Sequence, residues 1–126
     1  MTSVLNVDTI ADKAGTGPVA LTKQEAAKSR VSATITSNTH TIQDSFNVAS
    51  LTDDGAGKTD VVFTNNMNND DYSANVSCAR SNYNMFAHFG TNTLILTSEY
   101  RCNTTTAGST TQDYDVLCGT VHGDLA

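Results

Sequence analysis

The sequence predicts an all-β protein, an antiparallel β-sandwich knob of about six to eight strands. The first observation is residue usage: the 126 residues include 20 threonines, 12 asparagines and 11 serines, and only 16% of the chain is charged. Threonine favours strands, whereas asparagine and serine favour turns. The second is that short β-type runs recur from Arg30 onward at the spacing of about 8–12 residues typical of sandwiches and barrels. The third is length, which suffices for one modest core.

Eight candidate strands follow from the alternation of apolar and polar residues, and runs rich in Asn, Asp, Gly and Ser separate them. The candidate strands are Val31–Thr36, Thr39–Gln43, Phe46–Leu51, Asp60–Thr64, Tyr72–Ala79, Asn84–Phe89, Leu94–Cys102 and Tyr114–Val121. The polar run Asn103–Gln112 is predicted to be a loop.

Residues 1–24 are predicted to form an extended anchoring or oligomerisation segment, and residues 25–126 the sandwich domain. Two short β-type stretches flank a turn at Ala14–Pro18. A two-stranded piece is marginally stable alone, so we expect it to gain order from another copy of the chain or from another protein. The alternative is a frayed terminus. The candidate contact residues are Val4, Leu5, Val7, Ile10, Val19 and Leu21.

One short helix is predicted where the segment meets the domain. Thr22-Lys23-Gln24-Glu25 has the S/T-x-x-E form of a capping box, and the helix formers Ala26-Ala27-Lys28 follow it.

Charge and hydropathy exclude several functional classes. The chain carries 13 acidic against 7 basic residues, a net charge of −6, which opposes binding to nucleic-acid phosphates. No run approaches the roughly 20 apolar residues that cross a bilayer, and no signal-peptide pattern is visible. We therefore expect no nucleic-acid partner and no membrane insertion.

Two short motifs suggest ligands but fit turns better. Gly55–Thr59 resembles part of a phosphate-binding loop, but the pattern requires glycine at Thr52 and a following helix, where a strand is predicted instead. The acidic runs Asp53–Gly55 and Asn68–Asp71 lack the twelve-position calcium pattern. Both motifs are interpreted as turns, so no metal site and no cofactor is expected.

Catalytic motifs are not found either. His40, His88 and His122 show no spacing that pairs them with each other or with cysteine. The sequence therefore predicts a protein that is not an enzyme. The enzymatic alternative, a small glycan hydrolase, would need two carboxyl groups about 5–9.5 Å apart in a cleft.

The three cysteines are predicted to be buried free thiols. An odd number cannot pair completely within one chain. Cys78, Cys102 and Cys118 each share alternation with the more apolar face of their segment, where a thiol acts as a small hydrophobe.

Several segments also carry a resemblance to a known family. They are Asn6–Gly17 (NVDTIADKAGTG), Leu21–Lys28, Asp44–Gly57 (DSFNVASLTDDGAG), Val61–Met67 with the following Asp71–Ser73, and Val116–Gly123. Together they resemble the N-terminal segment and terminal domain of fibre proteins from tailed bacteriophages, especially the phages of marine and freshwater bacteria.

The resemblance implies a virion structural protein, a small trimeric fibre knob of the tail-fibre type that is exposed on the particle. It implies synthesis in the host cytoplasm and assembly into the virion. The expected partners are sister chains, other virion proteins of the tail, adaptor or capsid, and a host surface glycan for attachment. The alternative is a capsid decoration or cement protein, or a head fibre, that stabilises the shell without binding a receptor.

Overall fold

A computed structural model describes residues 26–90 and 94–123 of the chain. These residues form two four-stranded antiparallel sheets, which confirms the predicted all-β sandwich. The strands are β1 (Ser29–Thr36), β2 (Thr39–Phe46), β3 (Val48–Asp53), β4 (Lys58–Phe63), β5 (Ser73–Ala79), β6 (Met85–Phe89), β7 (Glu99–Thr106) and β8 (Val116–His122).

The strand order is β2-β1-β8-β5 in the first sheet and β3-β4-β7-β6 in the second. The chain changes sheets between β2 and β3, between β4 and β5, between β5 and β6, and between β7 and β8. The three intrasheet connections each join neighbouring antiparallel strands, and the one between β3 and β4 contains Gly55 and Gly57, both at positive φ. The predicted hairpin at the Gly-rich motif is therefore confirmed.

Most strand ends differ from the prediction by one to three residues, and the largest differences are at the two ends of β7. Leu94–Ser98 precedes β7, because the chain turns where the Leu96 amide donates to the Glu99 carbonyl over 2.9 Å. The strand then continues through Thr106 into the run predicted as a loop. Thr104 is 1% exposed, and its hydroxyl donates to the Gln112 carbonyl over 2.6 Å. A threonine with its hydroxyl satisfied in this way fills an inward position that a hydropathy pattern assigns to solvent.

The predicted helix falls mostly outside the described residues. Its last three residues, 26–28, have no helical structure. The division at residue 24, the anchoring segment before it and its six contact residues also lie outside the described part of the chain.

Asn47 organises the point where the chain leaves the first sheet for the second. It adopts φ 55°, in the left-handed region that asparagine tolerates better than most residues. Its side-chain nitrogen donates to the carbonyls of Lys28 over 3.1 Å and Asn65 over 3.0 Å. Its side-chain oxygen accepts from the Asn65 amide over 2.7 Å. One side chain thus ties the start of β1 to the end of β4.

The core between the sheets depends on tyrosines rather than on large aliphatic clusters. Tyr72, Tyr100 and Tyr114 are 7%, 1% and 1% exposed. The Tyr72 hydroxyl lies 2.9 Å from the Leu96 carbonyl oxygen and 3.0 Å from that of Glu99. Buried tyrosine hydroxyls usually have such a partner. The remaining buried apolar residues are Val31, Ala33, Val61, Phe63, Met67, Cys102, Leu117 and Val121.

Gly119 of β8 leaves space for the side chain of Tyr100. A Cβ at residue 119 would lie 2.5 Å from the Tyr100 hydroxyl oxygen and 3.3 Å from Val31 Cγ1. The glycine therefore sets how closely the two sheets approach, because the phenol spans the core from β7 to the backbone of β8.

We predict that Gly119→Ala lowers the free energy of unfolding by about 1–3 kcal/mol, as overpacking of a dense core does. Gly108→Ala is the matched control, since its new Cβ would meet only Thr106 Oγ1 at 3.8 Å. The control is expected to change stability by less than about 0.5 kcal/mol. Urea denaturation of the two variants and the parent measures the difference. Equal stabilities of both variants would contradict the role given to Gly119.

Candidate functional site

Two exposed aromatic side chains stand beside the connection from β5 to β6. Tyr83 is 51% exposed and Phe86 is 58% exposed. Tyr83 belongs to the connecting loop, residues 80–84, and Phe86 is the second residue of β6. Both rings line one cleft of about 450 Å³. We call Tyr83 and Phe86 the aromatic platform.

A second cleft, of about 380 Å³, is also lined by Tyr83. Both are open clefts on the protein surface rather than enclosed cavities. Tyr83, Asn84 and Ala107 line both clefts. The other residues lining the second cleft are Asn82, Thr106, Gly108, Thr110 and Gln112.

The segment before β8 fixes the loop that carries Tyr83. Arg80 Nη1 donates to the Asp113 carbonyl over 2.8 Å. The Ser81 amide donates to Asp115 Oδ2, also over 2.8 Å. Asn82 turns the chain in the left-handed region at φ 65°. These bonds tie the loop to the segment that precedes β8.

Further contacts orient the platform itself. The Arg80 guanidinium carbon lies 5.0 Å from the centroid of the Tyr83 ring, a cation–π distance. The Ala107 amide donates to the Asn84 carbonyl over 3.1 Å, which joins the two loops that border the second cleft. Tyr83 therefore has one ring face against a cation, although half of its surface is open to solvent.

Two acidic residues of the β3–β4 hairpin, Asp54 and Asp60, form ion pairs with Arg101. Arg101 donates from Nε and Nη2 to the two Asp60 carboxylate oxygens over 2.6 and 2.8 Å, and its Nη1 lies 2.6 Å from Asp54 Oδ2. These contacts, chiefly the hydrogen bond to Asp60, raise the pKa of Arg101. No group of three or more His, Cys, Asp or Glu able to hold a metal ion occurs in residues 26–90 and 94–123.

The histidines lie at three separate places, on β2, β6 and β8. His40 packs edge-on against Tyr114, with ring centroids 5.7 Å apart and its Nδ1 3.4 Å from the Tyr114 hydroxyl. Thr59 Oγ1 lies 3.3 Å from the same hydroxyl. His40 is therefore a core-side residue, while His88 is exposed on β6.

The prediction of three buried thiols is correct for Cys102 and wrong for Cys118. Cys102 is fully buried and Cys78 is partly buried, whereas Cys118 is exposed and borders a shallow groove of about 320 Å³ on the first sheet. The inward residues of β8 are Leu117, Gly119 and Val121. Because the middle one is a glycine, the hydropathy pattern predicts that the opposite face of β8, which carries Cys118, is the buried one.

Burial changes the ionisation of several core groups. Desolvation raises the pKa of the Cys102 thiol to about 12 and also raises that of Cys78. The same cause raises the pKa of Tyr114 to about 12, although the hydrogen bond from Thr59 partly offsets it. In each case the neutral form is the one that the core accommodates.

Sequence reasoning did not identify the aromatic platform. No motif marks it, and the residue pattern predicts a strand over Asn84–Phe89 with no separate role for Phe86. The available signal was a tyrosine inside the turn-forming run Ser81–Asn84, where an aromatic residue has no core to enter.

Comparisons of the chain with protein-family models, with curated proteins and with solved structures find no match. In the described part of the chain, no helix is long and apolar enough to cross a membrane.

We predict that a thiol probe labels the native protein first at Cys118. Cys102 should react only on unfolding, since it is buried and its thiolate is disfavoured. Cys118→Ser should remove the rapid phase and leave the slow one. Mass spectrometry of the labelled peptides distinguishes the sites. Native labelling of Cys102 as fast as that of Cys118 would contradict the assignment.

We also predict a loss of stability at alkaline pH. A group whose pKa is raised on folding contributes stability that is complete below its unfolded pKa and is lost as pH rises through the folded value. This window runs from about pH 9 to about pH 12 for Cys102, and from about pH 10 to about pH 12 for Tyr114. Urea denaturation between pH 8 and 11.5 should show that the free energy of unfolding falls as pH rises. The fall per pH unit should be smaller for Tyr114→Phe, which has no phenol to ionise. An unchanged slope in that variant would contradict the account.

Proposed function

We propose that the chain is a non-enzymatic structural protein of a tailed-bacteriophage virion. In this proposal it is a small homotrimeric fibre knob of the tail-fibre type, exposed on the particle. Residues 1–24 anchor it to sister chains or to other virion proteins, and the sandwich presents the aromatic platform to the host surface. Assembly into the particle follows synthesis in the host cytoplasm.

The observation that carries the proposal is the block Asp44–Met67, which holds the most distinctive line of the family resemblance. Its distinctive residues have defined roles in the fold: Asn47 makes the sheet crossing, Gly55 and Gly57 make the hairpin, and Phe63 and Met67 are 4% and 1% exposed. The resemblance therefore extends over residues on which the fold depends, including the core residues Phe63 and Met67.

The lining of the two clefts favours binding over hydrolysis. A glycoside hydrolase needs two carboxyl groups that flank the scissile bond. Among the described residues, neither of the clefts beside Tyr83 is lined by aspartate or glutamate. The Asp54 and Asp60 carboxylates are paired with Arg101 instead.

We predict that the purified full chain is a trimer with a mass near three times 13.3 kDa. Light scattering coupled to size exclusion measures this mass, and quantitative mass spectrometry of purified virions measures copy number. A few copies per particle support a tail fibre, and a number comparable with the capsid subunits supports the decoration alternative. A monomer at micromolar concentration, or absence from the virion, would contradict the proposal.

Val7→Asp together with Ile10→Asp tests the anchoring segment. Charge that faces a paired strand is costly to bury, so the double variant should lose the trimer and its place in the particle while the sandwich stays folded. Ser3→Asp with Thr9→Asp is the control, because it adds the same charge at polar positions. Circular dichroism monitors the fold. Equal incorporation of both double variants would show that the attachment lies in the sandwich.

A further inference from the structure

We infer that the aromatic platform and its two clefts bind a neutral saccharide unit, with Tyr83 as the central contact. The inference deepens the proposed function, on which it rests for its biological setting, by assigning the ligand class and the residues. It is argued from the ring surfaces, the polar groups around them, the local charge and the rigidity of the loop.

The ring surfaces suit a ligand that has an apolar face. Tyr83 and Phe86 are both more than half exposed and line the same cleft. Aromatic rings provide a large rigid contact surface, and the C–H face of a pyranose ring is the apolar side of an otherwise polar molecule. Because Arg80 covers one face of Tyr83, the second face remains for the ligand.

Neutral hydrogen-bonding groups surround the rings. The side-chain amides of Asn82 and Asn84 make no hydrogen bond within the described part of the chain, and both border the second cleft. A carboxamide offers a donor and an acceptor together. A sugar hydroxyl group also donates and accepts, so adjacent hydroxyls match such pairs. The hydroxyl of Thr110 and the amide of Gln112 add further groups at the same rim.

The local charge favours an uncharged ligand over an anionic one. Arg80 is the only charged residue among the described residues that line the two clefts. Its Nη1 is already bonded to the Asp113 carbonyl. Asp113 and Asp115 lie immediately behind the loop and oppose the approach of an anion. An acidic sugar or an anionic lipid surface would need an excess of positive charge here, whereas the single cation Arg80 stands beside two carboxylates in a chain of net charge −6.

The rigidity of the loop reduces the entropy cost of binding. Asp115 fixes the Ser81 amide and Asp113 fixes Arg80, so Tyr83 does not have to be ordered when the ligand arrives. Preorganisation of this kind raises affinity without any added contact.

The test is a titration of the full chain with a panel of methyl glycosides. Binding is monitored by NMR through the amide resonances of residues 80–86. The neutral probes are the methyl glycosides of glucose, galactose, mannose and N-acetylglucosamine, at millimolar concentration. Glucuronic acid and N-acetylneuraminic acid are the acidic probes, and anionic phospholipid vesicles test a membrane partner. At least one neutral probe should shift the platform resonances, and the acidic probes and vesicles should bind more weakly.

Variants distinguish binding at the aromatic platform from nonspecific binding elsewhere on the protein. Tyr83→Ala should weaken binding by about tenfold or more, whereas Tyr83→Phe, which keeps the ring, should stay within about threefold of the parent. Phe46→Ala is the matched control, because Phe46 is 54% exposed on the other sheet. It should leave binding unchanged. A failure of every neutral probe, tighter binding of an acidic probe or of vesicles, or an equal effect of Phe46→Ala would overturn the inference.

The outcomes also separate this inference from the proposed function. A protein that binds a neutral saccharide through Tyr83 but is absent from the virion supports the inference and overturns the virion role. If the protein is present in the virion but no neutral probe shifts its platform resonances, the inference is overturned and the structural role stands.

Discussion

Burial of tyrosine between the two sheets is the constraint on which the rest of the structure depends. The chain contains no tryptophan and four phenylalanines, so the tyrosines provide much of the large apolar surface in the core. Each buried phenol must also be given space or a hydrogen-bond partner. Gly119 provides the space for Tyr100. The Leu96 carbonyl accepts a hydrogen bond from the Tyr72 hydroxyl, and Thr59 Oγ1 lies 3.3 Å from the Tyr114 hydroxyl.

Tyr114 also links the core to the surface. It is fully buried at the end of the β7–β8 connection, and its two neighbours, Asp113 and Asp115, are the residues that fix Arg80 and Ser81. Asp113 Oδ1 also accepts from the Gly57 amide over 2.7 Å, which ties the same segment to the β3–β4 hairpin. The loop that carries Tyr83 is therefore held in place by a residue whose own position is determined by packing.

Much of the fold was predictable from local patterns, because alternation and turn chemistry act over a few residues. The hairpin at Gly55–Gly57 and most strands follow from such patterns. Cys118 and the Thr104 part of β7 did not, since an inward glycine and an inward threonine are both invisible to a hydropathy rule. The aromatic platform was not predictable for a different reason. It arises where residues near 83 meet residues near 113, and only the tertiary fold brings them together.

The central claim is that the platform loop is fixed by the core-anchored segment in the free protein. Amide hydrogen exchange, measured by NMR without ligand, tests it most directly. The Ser81 amide should exchange about tenfold or more slowly than an unprotected peptide amide, and Asp115→Ala should abolish that protection. The Cys102 amide in β7 should keep its protection in the same variant. Exchange of Ser81 at the unprotected rate in the parent protein would contradict the account.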